Sequence, residues 1–264
     1  MVRSNIGSLE NKGIEAALTV RPIQTTDVQW EITGNFTYNK NEITELTGES
    51  SLVMTGGISS GTGNQCQAHS VGHPASSFYV FQQVYDEKGL PLEGVYVDRN
   101  GDGIINDSDR YFYKSPAAPY TAGLSSRIQY KKWDLGFSLR ASFDNYVFWD
   151  KEAGYSNVSK RYDSSFGYLQ NVIPGAVRRN WSTYDHALSD YFVHNASFLK
   201  CDNITLGYTF KTWDDYLNGR VYLTASNVFT ITKYDGIDPE VSGGIDNNMY
   251  PRPMTFILGL NLNF

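Results

Sequence analysis

The sequence predicts an all-β chain, about seven long antiparallel strands forming a portion of a transmembrane β-barrel with long loops at one end. Three observations predict it. Aromatic residues make up 14% of the 264 residues, with 19 Tyr and 14 Phe, while hydrophobic residues reach only 41%; an aromatic surplus without an aliphatic one favours pleated, half-exposed surfaces. Apolar and polar residues alternate with period two over several stretches of about ten residues, the length that crosses a bilayer when tilted. The connections between these stretches alternate between tight turns and very long loops, which is the plan of an outer-membrane barrel.

Each element follows from the alternation. A first strand is expected near 13–22. "WEITGNFTY" then sets Trp30, Ile32, Phe36 and Tyr38 against Glu31, Thr33, Asn35 and Thr37. A third strand is expected near 120–130, and "LGFSLRASF" places Leu135, Phe137, Leu139, Ala141 and Phe143 opposite Gly136, Ser138, Arg140 and Ser142. "NITLGYTF" repeats the pattern with Ile204, Leu206, Tyr208 and Phe210, "VYLTASNVF" with Val221, Leu223, Ala225 and Phe229, and "TFILGLNLNF" with Phe256, Leu258, Leu260, Leu262 and Phe264. The short connections are "IQTTDV", "KKW" and "KTWDDYLNG"; the long ones are 47–119, 148–196 and 231–252. Glu15, Glu31, Arg127 and Arg140 lie on the polar face, where a sandwich core would bury them at high cost but a wet lumen tolerates them. The apolar face is therefore read as meeting lipid. Trp30, Trp133 and Trp213 fall near strand ends, as interfacial girdles do.

Several classes are excluded. A net charge of −6 gives no basic footprint for nucleic acid. No run approaches the roughly 18–20 apolar residues of a membrane helix, and the first residues lack the apolar core of a signal peptide. Cys66 and Cys201 stand far apart, and the four His are scattered as surface loop residues are, so neither a disulfide framework nor a zinc site is expected. There is no G-x-S-x-G elbow and no singled-out carboxylate pair, so no enzyme activity is expected.

"DRNGDGIINDSD" has the spacing of a calcium loop: Asp98, Asn100, Asp102, the Ile104 carbonyl, Asn106 and Asp109 would surround Ca2+ in a structural role, with Gly103 at the turn. The flanks "LEGVYV" and "RYFYK" read as strands, and Asp109 is shorter than the usual Glu at its place. A second reading stays open, a tight Gly- and Asx-rich turn whose carboxylates cap backbone N–H groups. In the middle long loop Tyr146, Phe148, Trp149, Tyr155, Trp181 and Tyr184 alternate with Asn145, Asn157, Asp163 and Asn180. Of these Tyr146, Trp149, Tyr155 and Trp181 are the candidate substrate contacts; the alternative is that the aromatics pack the loop upon itself.

Taken in order, "NKGIEAAL", "NFTYNKNEITEL", "YVDRNGDGIINDSDR", "PYTAGLSSRIQYKKWDLGFSLRASF", "ASFLKCDNITLGYTF", "ASNVFTITKYDGIDPEV" and "YPRPMTFILGLNLNF" resemble the C-terminal barrel portion of the SusC/RagA-like TonB-dependent outer-membrane transporters of Bacteroidetes. Lys200 stands where that family usually has Arg. The resemblance implies an outer-membrane protein that imports oligosaccharides or other nutrient fragments, with glycan or peptide as substrate. It implies a SusD-like surface lipoprotein as partner, and TonB acting through a plug region that has no counterpart in residues 1–264. The long loops, with Asp98–Asp109, are then extracellular. Barrels of this kind have about 22 strands, so seven cannot close one. The alternative function is a calcium-stabilised extracellular β-sheet module for binding or adhesion.

Overall fold

Alternation in the sequence becomes one meandering antiparallel sheet. The computed structural model describes residues 7–47, 51–61, 63–163, 165, 167–183, 187–211, 217–247 and 249–263, apart from the side chains of Lys160 and Asp163. Trp213, Tyr184 and Phe264, singled out above, and His186, one of the four His, lie outside the described residues. The strands are β1 (Gly7–Gln24), β2 (Val28–Leu46), β3 (Tyr120–Tyr130), β4 (Trp133–Phe143), β5 (Phe198–Lys211), β6 (Asn218–Thr232) and β7 (Thr255–Asn263), each hydrogen-bonded to the next in sequence order. Within the described residues β1 pairs with β2 alone and β7 with β6 alone. The sheet is open, as seven strands require.

Register puts the apolar positions side by side. Ile23, Trp30, Ile128, Leu135, Leu206, Leu223 and Leu258 form one row across all seven strands. None of the described residues covers this row: Leu135 is 41% exposed, Leu206 44% and Leu258 75%. One residue along, Glu31, Arg127, Gly136, Thr205 and Thr224 form the matching polar row. Near the turn end, Tyr130, Trp133 and Tyr208 are neighbours, with the Trp133 and Tyr208 rings 4.7 Å apart. Near the loop end, Tyr38, Tyr120 and Phe143 share a row. From Tyr120 to Tyr130 the chain rises about 34 Å, or about 26 Å of depth at a tilt of roughly 40°, which matches the apolar band of about 25 Å of an outer-membrane barrel.

β1 and β2, of 18 and 19 residues, are much longer than the ten or so residues that a bilayer asks for. The pairing of β2 with β3 stops at Tyr38–Tyr120; beyond it β1 and β2 continue as a hairpin against which the 47–119 loop packs, the Ile43 N–H donating to the His73 carbonyl and the Gly72 N–H to the Ile43 carbonyl. Polar contacts line it there: the Asn41 side-chain amide donates across the strands to Asn11 Oδ1 (2.8 Å), and Lys40–Glu42 and Lys12–Glu10 are ion pairs within β2 and within β1. The alternation of apolar residues ends before the strands do, so β1 runs from Gly7 to Gln24, beyond the 13–22 expected from alternation.

The hydrophobic core is outside the sheet. It is built by the connections 47–119, 144–197 and 233–254, where Cys66, Phe78, Val80, Phe148, Trp181 and Phe192 pack into one buried cluster. Short strands and two single-turn helices, Asp150–Tyr155 and Pro174–Arg179, frame it.

Candidate functional site

The candidate site is the polar face of the sheet where the loops meet it, and a β-bulge creates it. Simple alternation through "KCDNITLGYTF" would put Lys200 and Asp202 on the same side as Ile204 and Leu206, facing lipid. The ladder prevents this: Ser138 pairs with Asn203 and Leu139 with Cys201, so Asp202 has no opposite residue on β4. On the other side Asn203 pairs with Ser226 and Cys201 with Phe229, and Asn227 takes φ = 53° to make the detour. Such an insertion re-aims every later side chain. Lys200 lands beside Arg140 on the polar face, and two charges escape the bilayer.

These charges anchor the loop that carries "DGIDPEV". Arg140 Nε donates to both Asp202 oxygens (2.9 and 2.8 Å), and its terminal nitrogens hold both oxygens of Glu240. Lys200 Nζ donates to Asp238 Oδ1 at 2.6 Å and to Glu240 Oε2 at 3.1 Å. Arg252 closes the loop on itself, with Glu240 Oε2 at 2.5 Å and Asp238 Oδ2 at 3.3 Å. Lys200 is 6% exposed and Asp238 5%, burial tolerated only because each is paired. The Arg140 guanidinium above all, with Lys200 beside it, pulls the Glu240 carboxyl down to about 2. Beside this network lies a concavity of about 800 Å³, floored by β2, β3 and β4. Asn35, Thr121, Ser125 and Ser138 line it. The Asn35 amide lies across Gly123, where a Cβ would come within 2.8 Å of it.

The three loops are bonded to one another. The buried Asp150 carboxylate accepts from the N–H and hydroxyl of both Ser59 and Ser60. Asp190 accepts from the Gln83 N–H and the Tyr111 hydroxyl, and Glu93 from Ser182 and Thr183. Arg179, 4% exposed, bridges Glu152, Tyr191 and Ser156. The Gln67 amide reaches the Gly243 carbonyl of the last loop.

Of the candidate substrate contacts, Trp181 is 2% exposed; its ring packs against Tyr191 and Phe192, and its Nε1 donates to the Pro91 carbonyl. It fills the core. Phe148 is fully buried, and Tyr146 and Trp149 are half-buried, Trp149 edge-on to Tyr234 and His194. Tyr155 is exposed and lines a shallow groove with Tyr168 and Gln170. The structure does not gather the four into one surface.

In the Asp98–Asp109 loop the carboxylates are turned onto the loop's own backbone. Asp98 accepts from the N–H groups of Gly101 (2.7 Å) and Gly103 (2.8 Å), Asn100 from Asp102, Asp102 from Ile104, and Asn106 from Ser108. Asp109 is fully buried and accepts from Arg99, Asn100 and Asn106; these N–H groups, Asn106 first, hold its carboxyl below the usual range. Gly101 and Gly103 sit at φ = 76° and 81°, as the turn demands. Among the described residues no group of three His, Cys, Asp or Glu comes together; the Asn side chains and the Ile104 carbonyl expected in the loop are of other types, and the Asx- and Gly-rich turn is formed by the bonds given above.

Sequence reasoning did not find Lys200, Asp202, Asp238, Glu240 and Arg252 as a group. A signal existed: two charges at lipid-facing parity, which only a bulge can remove.

No protein-family model matches the chain. It is 51% identical over 269 residues to the TonB-dependent receptor SusC of Bacteroides thetaiotaomicron, covering 98% of this chain and 27% of that protein. It is 27% identical over 297 residues to TonB-dependent receptor P3 of Formosa agariphila, with 98% and 29% covered. The structure matches the RagAB peptide transporter with a TM-score of 0.76 at 24% identity, over 98% of this chain and 30% of that one. The chain thus spans under a third of the length of each.

Proposed function

From the premise that this chain belongs to the SusC/RagA-like TonB-dependent receptors and lies in their outer-membrane barrel, we propose that it forms one wall of an importer of oligosaccharides or other nutrient fragments. The observation that carries the reading is the identity of 51% to one such receptor across nearly the whole chain. The two faces of the sheet support it. An uncovered apolar row fits lipid, and a charged, hydroxyl-rich face fits a wet conduit. The bonded loop mass offers a shaped surface at the outer mouth, against which a SusD-like lipoprotein would present cargo. TonB would act on a plug outside this segment. The Asp98–Asp109 loop serves as a strut of that surface. No catalytic role is proposed.

An extracellular adhesion module is the weaker reading, because seven aligned apolar residues would then face water across the full width of the sheet. Uptake tests the proposal. Deleting the gene that encodes this segment should abolish uptake or growth on one class of polymer fragment, and removing TonB should do the same. Undiminished uptake of every glycan and peptide fragment in both strains would overturn it.

A further inference from the structure

We propose that the hollow beside Tyr38, where β2 outruns β3, seats the headgroup of one bilayer phospholipid, a phosphoethanolamine with both a phosphate and a primary amine. This site depends on the barrel's place in the outer membrane and not on import. A step in the sheet makes the hollow. β3 begins at Tyr120, and the Asn39 N–H donates to the Pro119 carbonyl as the chain joins the ladder. Past that point β2 has no further ladder partner on this side. A space of about 230 Å³ opens there, lined by Tyr38, Lys40, Glu42, Lys114, Asp144 and Tyr146. Lys40 and Glu42 keep the parity of Tyr38, Phe36 and Ile32, the residues of the lipid face, so they flank the hollow from the outward side. Lys40 lies two residues past Tyr38, about 7 Å along the strand and about 5 Å of depth above the aromatic girdle, which is headgroup level. Below it, the row Phe36–Ala122–Ala141–Leu199 sets two Ala between larger side chains, a dip in the apolar face along which an acyl chain descends.

The presence of both charge signs selects the ligand. Lys40 and Lys114 supply ammonium groups to the hollow, and Glu42 and Asp144 supply carboxylates. Lys40 pairs with Glu42 on its own strand, their side chains 62% and 36% exposed; such a pair is worth little in water and yields to a better partner. Lys114 lies over the Tyr146 ring, 4.7 Å from its centroid. Asp144 donates its backbone N–H to Ser197 Oγ, and its carboxylate makes no hydrogen bond among the described residues. A purely anionic headgroup would satisfy the lysines and set its phosphate against two carboxylates. Phosphocholine carries both signs but has no N–H to donate. Phosphoethanolamine meets both needs: its phosphate oxygens accept from Lys40 and Lys114, and its ammonium, with three N–H groups, donates to Glu42 and Asp144. The volume is below the ~300 Å³ at which ordinary small-molecule pockets begin, which suits a small headgroup without sugars.

The test places the intact receptor in nanodiscs of equal parts phosphatidylethanolamine, phosphatidylglycerol and phosphatidylcholine, releases it, and identifies the retained lipid by native mass spectrometry. Heat-modifiable mobility on gels reports folding for each variant. The wild type should retain phosphatidylethanolamine about fivefold or more over either competitor. Lys40→Met combined with Lys114→Met should abolish that preference. Glu42→Gln combined with Asp144→Asn, which leaves both lysines, should turn the preference toward phosphatidylglycerol; a merely structural role would not exchange one lipid for another. A wild type without preference, or one that prefers phosphatidylglycerol or phosphatidylcholine, overturns the site. So does a preference for phosphatidylethanolamine that either double variant keeps. Calorimetry with soluble phosphoethanolamine separates a lipid site from a site for the free compound: no uptake at micromolar concentration is expected, and saturation there without any acyl chain overturns the lipid assignment.

Discussion

Replacing Leu139 with Arg tests which face of the sheet meets lipid. Trp133 and Phe143 mark the two ends of β4, a rise of about 34 Å along the strand and about 26 Å of depth at a tilt near 40°. Leu139 lies four residues before Phe143, about 10 Å below the outer girdle by the same geometry and hence close to the midplane. Its row neighbours are Leu124 and Cys201, which offer no partner to a guanidinium. An Arg at the midplane of a lipid face costs about 2–4 kcal/mol, or about 30- to 900-fold in the folding equilibrium. Leu206 pairs with Leu135, two residues from Trp133, about 5 Å below the inner interface, where the cost falls to about 1 kcal/mol. Ser138→Arg on the opposite face should cost about 0.5 kcal/mol or less. The assay is urea-dependent folding of the intact receptor into vesicles. A penalty at Ser138 equal to that at Leu139, or a Leu206 penalty exceeding that at Leu139, would refute the assignment of faces and depth.

Three further outcomes are expected. Because Arg140 lowers the Glu240 carboxyl to about 2 from an ordinary value of 4.5, the stability it lends the 233–254 loop is fully present above pH 4.5 and is lost as the pH falls through about 2. Limited proteolysis between pH 5 and 2 should show the loop opening in that window, and Glu240→Gln, which weakens the partly exposed cluster by about 1–2 kcal/mol at neutral pH, should remove most of the pH dependence. The Asp98–Asp109 turn should stay protease-resistant in chelator, since backbone N–H groups already satisfy its carboxylates, and Asp98→Ala should expose it by freeing the Gly101 and Gly103 N–H groups; resistance that needs millimolar calcium and vanishes in Asp98→Ala would instead restore the cation-bound loop. A Cβ at Gly259 would stand 2.2 Å from the Tyr222 ring, so Gly259→Ala should destabilise the β6–β7 pair by about 1–3 kcal/mol, with most of the loss recovered when Tyr222 is shortened to Ala.

How far the sequence could be read depends on what each part of the molecule packs against. Where a strand has lipid on one side and water on the other, the residue types must alternate, and all seven strands and their neighbours were legible from that alone. The loop mass obeys no such period. Phe148 and Trp181 can stand on a recognition surface or inside the loop in a linear reading, because nothing local says that loops 47–119 and 144–197 close over them; their burial comes from contacts as distant as Trp181 with Pro91. The charge network is intermediate, and it shows why a broken pattern informs more than a kept one. If β5 were regular, Lys200 and Asp202 would stand in lipid at a cost of several kcal/mol, so the sequence "LKCDNI" can be accommodated only if the strand gains a residue before Ile204. That extra residue turns Lys200 toward Arg140, and two neighbouring cations then require acidic partners on the same face. Asp202 supplies one, and the "DPE" segment supplies two more from a loop whose position nothing else in the sheet dictates. The bulge therefore fixes where the last loop docks, and with it the roof of the polar concavity.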